Sequence, residues 1–216
     1  MKQTIVQIIP CLNYIKEVNV LKIKHLMMSV LGLLVFLVAC GDSSPIEENM
    51  SETVPDFSYT TQDEEALGLE DLKGNWWIAD FIFTNCTDVC IPMTNNMAIL
   101  QDEMKAEDLD DVQLVSFTVD PDYDTPDVLK EHAERNAVDL NNWHFLTGYD
   151  FQTIKELSIK TFGSLVKEPQ PGDDQVMHGT SFFLINPDGE VVKKYSGLDQ
   201  KAMDEIIEDL QKVAVQ

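Results

Sequence analysis

The sequence predicts an α/β domain in which helices flank a mixed β-sheet, and three observations carry this prediction. The runs "NWWIADFIFT" (residues 75–84) and "VQLVSFTV" (residues 112–119) are apolar, rich in β-prone residues and as long as buried strands. A helical pattern separates them, as in a βαβ unit whose strands run parallel. The run "TSFFLINPDGEVVKKYSG" (residues 180–197) predicts two strands around an Asn-Pro-Asp-Gly turn, which makes an antiparallel hairpin.

The segment between the first two strands, residues 93–107, carries apolar residues at helical spacing. These residues are Met93, Met97, Leu100 and Met104. A methionine stripe has two interpretations, because thioethers bind soft metals and also fill hydrophobic cores. An amphipathic helix packed against the sheet accounts for the spacing, so we expect these side chains in the core.

Three further helices are expected over residues 125–138, 150–162 and 199–213. Each begins at a residue whose side chain can cap the first turn, namely Thr125, Asp150 and Asp199. The resulting order is strand, helix, strand, helix, helix, hairpin, helix. A βαβ unit followed by ββα around a mixed sheet is the thioredoxin-like architecture. In such a fold the loop after the central first strand lies at the carboxyl end of the sheet, where the chemistry is located.

Length and charge limit the functions that the chain can have. The 216 residues suit one well-packed domain with an additional segment. The 15 Lys and Arg residues against 38 Asp and Glu residues give a net charge of −23, so we expect no nucleic-acid partner. Because Arg135 is the only arginine in the sequence, a phosphate or carboxylate clamp built on arginine is not expected.

The N-terminal region predicts export and lipid anchoring. The apolar run "LMMSVLGLLVFLVA" (residues 26–39) follows Lys22 and Lys24 and has the length of a signal-peptide core. It ends in "LVACG", which resembles a bacterial lipobox with Cys40 as the lipidated residue. We therefore interpret residues 1–40 as a signal peptide, with residues 1–20 preceding the true translation start. The alternative is an uncleaved anchor, and both place the domain on the extracytoplasmic face of the cell membrane.

A short acidic segment separates the signal peptide from the domain. Residues 41–57, "GDSSPIEENMSETVPDF", are polar and acidic and contain two prolines. This composition is typical of flexible linkers, so we expect a tether there. The remaining residues, 58–216, are predicted to form the thioredoxin-like domain.

The sequence "TNCTDVCIPM" (residues 84–93) follows the first buried strand and contains Cys86 and Cys90. Thr87 or Asp88 can cap the next helix, which places Cys90 at a helix N-terminus, where the helix dipole favours the thiolate. A disulfide, a redox dithiol and a metal site all remain open. Three intervening residues, one more than in thioredoxin-type motifs, suit two thiolates that converge on an ion. Structural zinc requires four ligands, whereas copper(I) accepts two thiolates and one imidazole.

A third ligand would come from a histidine that the fold brings near the cysteines. His132 lies on a polar helix face, where we expect solvent exposure, and His144 lies in a stretch that resembles a loop. His178 immediately precedes the predicted hairpin. In a thioredoxin-like fold that position faces the cysteine loop, so His178 is the best candidate.

Several motifs together resemble the Sco/SenC family (synthesis of cytochrome c oxidase). They are "DFIFTNCTDVCIPMTNNM", "VSFTVDPDYDTP", "WHFLTGYD" and "HGTSFFLINPDGEVVKKYSG", within roughly residues 54–214. The resemblance implies a thioredoxin-like fold, copper bound by Cys86, Cys90 and His178, and a role in assembling the binuclear CuA site of cytochrome c oxidase. The chain departs from the usual CPxxCP pattern at Thr87 and Ile91, which alters the loop but keeps both sulfurs.

The segment "DPDYDTP" (residues 120–126) follows the second strand and contains Asp120 and Asp124. Turn and cap chemistry accounts for such residues in general. The family resemblance implies that this segment borders the copper site and supports the ligands or a docking partner. Met177, beside His178, is a conceivable transient thioether ligand, although packing in the core is the preferred interpretation.

The leading hypothesis is a copper-binding assembly factor, a metallochaperone that delivers copper to the CuA site. We expect one copper per chain, as Cu(I) or Cu(II), and a monomer. The expected partners are the oxidase subunit that carries the CuA site and the membrane. The alternative is a thiol–disulfide oxidoreductase that uses a redox disulfide between Cys86 and Cys90 to reduce the target's cysteines. A peroxidase fits poorly, since the threonine expected three residues before Cys86 is Phe83 and no arginine lies nearby.

Overall fold

The strand predicted over residues 75–84 lies in the middle of an eight-stranded mixed sheet. The computed structural model describes residues 44–86 and 89–214. Within these residues the strands are β1 (Glu52–Thr53), β2 (Ser58–Thr61), β3 (Ala66–Gly68), β4 (Trp77–Ile82), β5 (Gln113–Thr118), β6 (Trp143–Thr147), β7 (Val166–Lys167), β8 (Met177–His178), β9 (Ser181–Ile185) and β10 (Glu190–Ser196). The large sheet has the order β1-β10-β9-β4-β5-β6-β2-β3, and β7 pairs separately with β8.

The pairing directions confirm the predicted thioredoxin-like topology. Strand β4 pairs in parallel with β5, and β5 in parallel with β6. On its other side β4 pairs antiparallel with β9, which forms the predicted hairpin with β10. A βαβ unit and a ββα unit therefore meet at β4, which makes it the central strand.

Within the described residues, four of the five helices begin and end within a few residues of their predicted limits, and the short first helix was not predicted. The helices are α1 (Leu69–Leu72), α2 (Cys90–Ala106), α3 (Pro126–Arg135), α4 (Phe151–Lys160) and α5 (Gln200–Val213). The Asp150 carboxylate accepts a hydrogen bond from the Thr153 N–H at 2.7 Å, and Asp199 accepts from the Lys201 N–H at 3.0 Å, as capping requires. Thr125 stands at the cap position of α3 without a capping hydrogen bond from its side chain.

The core consists of two apolar clusters, one on each face of the sheet. One contains the methionine stripe of α2 together with Ile206 and Leu210 of α5, so the predicted stripe packs in the core. The other contains Phe81, Phe117 and Phe162, among other residues. Because both faces of β4 are covered, its apolar residues are buried along the whole strand.

Two parts of the fold differ from the sequence prediction. The stretch around His144 forms strand β6 rather than a loop, because pairing with β5 satisfies its backbone. Residues 45–57, predicted as part of a flexible tether, lie against the domain. Ile46 and Val54 are buried, and β1 pairs with β10. The packed region thus begins near Pro45 rather than at residue 58.

Several predictions concern residues that the structure does not describe. The signal peptide, its lipobox Cys40 and the caps Thr87 and Asp88 lie outside the described residues. Within residues 44–86 and 89–214, no helix is both long and apolar enough to span a membrane.

Candidate metal centre

The fold brings the Cys86 loop and His178 to the same end of β4. Cys86 lies in the loop after β4, and Cys90 is the first residue of α2. His178 precedes β9, which runs antiparallel to β4 with Ala79 opposite Phe183. The start of β9 therefore lies beside the end of β4. This pairing explains how a histidine 88 residues from Cys90 approaches its sulfur.

The potential ligand atoms of Cys86, Cys90 and His178 converge in a small volume. They all lie within 4.8 Å of one another, and Cys90 Sγ is 3.0 Å from His178 Nε2. The Cys90 N–H donates to Cys86 Sγ at 3.4 Å, which folds the loop back onto the helix start. Two atoms bound about 2.0–2.3 Å from one ion lie at most about 4.6 Å apart. The three donors thus fit a single metal ion with little rearrangement.

The imidazole of His178 is oriented as a metal ligand requires. Its Nδ1 lies 2.8 Å from the carbonyl oxygen of Gly179, and a carbonyl oxygen can only accept a hydrogen bond. We therefore infer that Nδ1 carries the proton, which leaves the lone pair on Nε2, the atom that faces Cys90. Ligating histidines are commonly held in this way by a backbone carbonyl. The Phe83 ring packs edge to face against the imidazole, with the two ring centroids 5.7 Å apart, which further restricts rotation of the imidazole.

The electrostatics of Cys90 differ from the prediction made from its helix position. Burial raises the pKa of the Cys90 thiol far above its usual value, and a hydrogen bond with Cys86 adds to this effect. The helix N-terminus therefore does not by itself make Cys90 a thiolate. Cys90 is a thiol rather than part of a disulfide. A cation at this position would stabilise the Cys90 thiolate, which burial disfavours. Metal binding would therefore release the thiol proton.

A cavity of about 440 Å³ opens beside the three residues. Its lining includes Cys86, Val89, Met177 and His178. Cys86 is half-buried, whereas Cys90 and His178 are almost fully buried. An incoming or outgoing group can therefore reach the site through this cavity, on the Cys86 side. Met177 is 57% exposed and lines the same cavity, so it is not in the core.

Neither acidic candidate belongs to the cluster of potential ligand atoms. Asp124 is completely buried and accepts hydrogen bonds from the N–H and hydroxyl of Thr84 and from the Thr118 hydroxyl. Asp124 thus connects the end of β4 to the end of β5. Asp120 is half-buried, and burial together with the neighbouring Asp124 raises the pKa of its carboxyl group.

The other described histidines lie away from the site. The prediction that His132 is solvent-exposed is wrong. The centroid of its ring lies 5.9 Å from that of Phe145. Its buried Nε2 has no hydrogen-bond partner in the described part of the chain, and burial lowers the pKa of the imidazole to about 4. His144 lies on β6, where its Nε2 is 3.3 Å from Gln113 Oε1.

Sequence reasoning missed three features near the centre. The Gly179 carbonyl orients His178, a contact that no residue type reveals. Asn85 bonds the segment before His178, which only the tertiary structure brings close. The third is Asp80, a fully buried carboxyl group on β4. A lone aspartate inside the apolar run "WIADFI" is the signal that identifies it.

Comparison with known proteins shows to which family this chain is related. The SCO1/SenC family model matches residues 46–215. A SCO1/SenC family lipoprotein from Bacillus anthracis has a similar structure, with 48% sequence identity, a TM-score of 0.72 and coverage of 76% of this chain and 95% of that one. BsSco, described as a member of the Sco family of cytochrome c oxidase assembly proteins with a disulfide switch, is 43% identical, with a TM-score of 0.72 and coverage of 80% and 99%.

A more distant solved structure is Bradyrhizobium japonicum ScoI with copper bound. It is 25% identical, with a TM-score of 0.61 and coverage of 73% of this chain and 99% of that one. The agreement thus extends over nearly the whole length of each relative. Since the family model matches most of the sequence, the chain belongs to the SCO1/SenC family.

Proposed function

We propose that this protein binds one copper ion through Cys86, Cys90 and His178 and delivers it to the CuA site of cytochrome c oxidase. The observation that carries the proposal is the convergence of two sulfurs and an oriented imidazole nitrogen within 4.8 Å. Soft sulfur donors with one imidazole suit copper, and four-ligand structural zinc would need a further donor. Copper bound to ScoI and the description of BsSco as an oxidase assembly protein support the assignment.

The difference in burial between the cysteines suits transfer by ligand exchange. Cys90 and His178 hold the ion from the buried side, and Cys86 faces the open cavity. A thiolate of the recipient site can enter there and replace Cys86 before the other two bonds break. The ion keeps its oxidation state in this exchange, since one thiolate replaces another. Each displaced thiolate of the donor recovers a proton from solvent.

We also propose that lipidated Cys40 holds the domain on the extracytoplasmic face of the membrane. The relative from Bacillus anthracis is described as a lipoprotein, which supports this localisation. Mass spectrometry of the membrane fraction tests it. We expect a diacylglycerol on the N-terminal cysteine of the mature chain and its loss in Cys40→Ser. An unmodified chain that begins upstream of residue 40 would rule out lipidation there.

Copper titration of residues 41–216, which include both core clusters, tests the binding site. We expect one copper per chain and a sulfur-to-copper charge-transfer band with Cu(II), both lost in Cys86→Ser and in His178→Ala. His144→Ala is the matched control, because that imidazole lies on β6, away from the site, and binding should persist. Copper binding by His178→Ala that is as tight as in wild type would exclude the three-ligand site.

Delivery is tested by mixing the copper-loaded protein with an oxidase domain that carries the empty CuA site. We expect the CuA absorption to appear with wild type and to be absent with His178→Ala. The alternative activity, dithiol exchange with the target's cysteines, does not need the imidazole. If His178→Ala supports CuA formation from added copper as well as wild type does, thiol reduction rather than delivery is the function.

A further inference from the structure

Hydrogen bonds join the loop that carries Cys86 directly to the segment that carries His178. The Asn85 side-chain amide donates to Asp174 Oδ2 at 3.0 Å. The Gln175 side-chain amide donates to the Asn85 carbonyl oxygen at 3.1 Å and to Asp174 Oδ1 at 2.8 Å. We call Asn85, Asp174 and Gln175 the clasp. Its members adjoin the ligands, since Asn85 precedes Cys86 and Gln175 lies three residues before His178.

The segment before His178 depends on such contacts for its position. Residues 168–176 contain neither helix nor strand, and β8 is only two residues long. Strand β8 pairs with β7, and the Gly179 N–H bonds the Leu165 carbonyl, so these contacts attach His178 to the loop after α4. The clasp instead connects the same segment to the cysteine loop. Val176 is buried in a core cluster, but the residues before it in this irregular segment are mostly exposed, so individual hydrogen bonds have a large effect on their position.

The electrostatics of Asp174 agree with its place in the clasp. Hydrogen bonds from Gln175 and from Asn85 hold the pKa of the Asp174 carboxyl group below its usual value. The carboxylate therefore accepts from both amides in its charged form, at an exposed position where solvent screens the charge. Because the side chains at positions 85 and 174 are within hydrogen-bond distance, a negative charge at position 85 would repel this carboxylate.

One member of the clasp, Gln175, lines the cavity through which copper would leave, and Asn85 and Asp174 adjoin residues that line it. Gln175, Met177 and His178 line one part of that cavity, and Cys86 and Val89 line another. Separation of the two segments would widen the opening and move Nε2 of His178 away from the sulfurs. The contact that holds the segments together is therefore suited to control how long the ion stays.

We propose that Asn85 and Asp174 are positioning residues that hold the histidine-bearing segment against the cysteine loop and thereby set the rate at which copper leaves the site. This inference rests on the proposed copper binding. It goes further because it attributes the lifetime of the bound copper to two side chains that do not touch the metal.

An exchange of the two side chains tests the proposal. Asn85→Asp places two carboxylates against each other and removes the hydrogen bond between the side chains at positions 85 and 174, while the bond from Gln175 to the backbone carbonyl at position 85 remains available. Asp174→Asn has a smaller effect, since the new amide oxygen still accepts from Asn85. In the double variant the amide at position 174 donates to the carboxylate at position 85, so the hydrogen bond forms in the reverse direction. Gln170→Glu is the matched control, because it adds a negative charge to the cavity lining outside the clasp.

The main measurement is the transfer of copper to an excess of a small chelator, followed by decay of the charge-transfer band. We expect transfer from Asn85→Asp to be about 2- to 10-fold faster than from wild type, the range of one hydrogen bond. The transfer rates of the double variant and of Gln170→Glu should remain within about twofold of wild type. The double variant restores the hydrogen bond in the reverse direction, and Gln170→Glu removes no hydrogen bond of the clasp.

A second measurement uses the copper-free protein. Amide hydrogen exchange over residues 174–178 should be faster in Asn85→Asp and return to the wild-type rate in the double variant. Equal copper transfer rates in Asn85→Asp and wild type, or a double variant as fast as Asn85→Asp, would overturn the role of the clasp. Wild-type protein that binds no copper would instead overturn the proposed function, and the inference with it.

Discussion

Asp80 provides a quantitative test of the electrostatics of the core. It lies on the central strand β4 and is fully buried. Its Oδ1 accepts a hydrogen bond from the Ser116 hydroxyl at 2.6 Å, and that hydroxyl accepts from Trp143 Nε1 at 2.9 Å. Its Oδ2 has no hydrogen-bond partner within residues 44–86 and 89–214. Burial raises the pKa of this carboxyl group from 3.8 to about 7.

The raised pKa determines the direction of the pH dependence. Between the unfolded value of 3.8 and about 7, the folded protein binds more protons at Asp80 than the unfolded chain does. The contribution of the neutral acid to stability is therefore present at low pH and is lost as the pH rises through about 7. At about 1.36 kcal/mol per pKa unit, the loss between about pH 5 and pH 8 is about 2.5 kcal/mol.

The substitution Asp80→Asn isolates this contribution, because the amide has nearly the same shape and stays neutral. We expect the free energy of unfolding of Asp80→Asn, relative to wild type, to increase by about 2.5 kcal/mol between about pH 5 and pH 8. Urea unfolding at pH steps across this range measures it. Asp204→Asn, on the exposed face of α5, is the control for removal of one surface charge. A difference between Asp80→Asn and wild type that does not change with pH would refute the reasoning.

Three further predictions concern packing and hydrogen bonding. Met97 is fully buried, so Met97→Ala should lower the free energy of unfolding by about 2–5 kcal/mol, whereas Met97→Leu should lower it by less than about 1.5 kcal/mol. Urea unfolding measures both, and equal losses would argue against tight packing. Gly148→Ala should lower the melting temperature more than Gly74→Ala. Both have positive φ, but a Cβ at Gly148 would lie 2.6 Å from Thr60 Oγ1, whereas the space at Gly74 is open. Asp124→Ala should lower the free energy of unfolding by about 1–3 kcal/mol, because Thr84 and Thr118 lose their hydrogen-bond acceptor. An unchanged midpoint in urea unfolding would contradict this.

The parts of the fold that the sequence predicted correctly are those with long, uniform patterns. Strands β4 and β5 are continuous apolar runs, the β9–β10 hairpin contains a strong turn signal, and the helices have clear periodicity. Strand β6 was missed because polar His144 interrupts its short apolar stretch. Strand β1 is two residues long in an acidic segment, and it exists because the edge of β10 offers hydrogen bonds to it.

The sequence by itself determined the chemical types at the candidate centre and their family. The spacing of Cys86 and Cys90, the position of His178 before a strand and the motifs around them are local information. Only the tertiary structure decided their environment. Burial raises the pKa of the Cys90 thiol, against the expectation from its helix position, and the Gly179 carbonyl selects the His178 tautomer. Desolvation and hydrogen-bond geometry depend on which distant segments meet, and local sequence patterns do not contain that information.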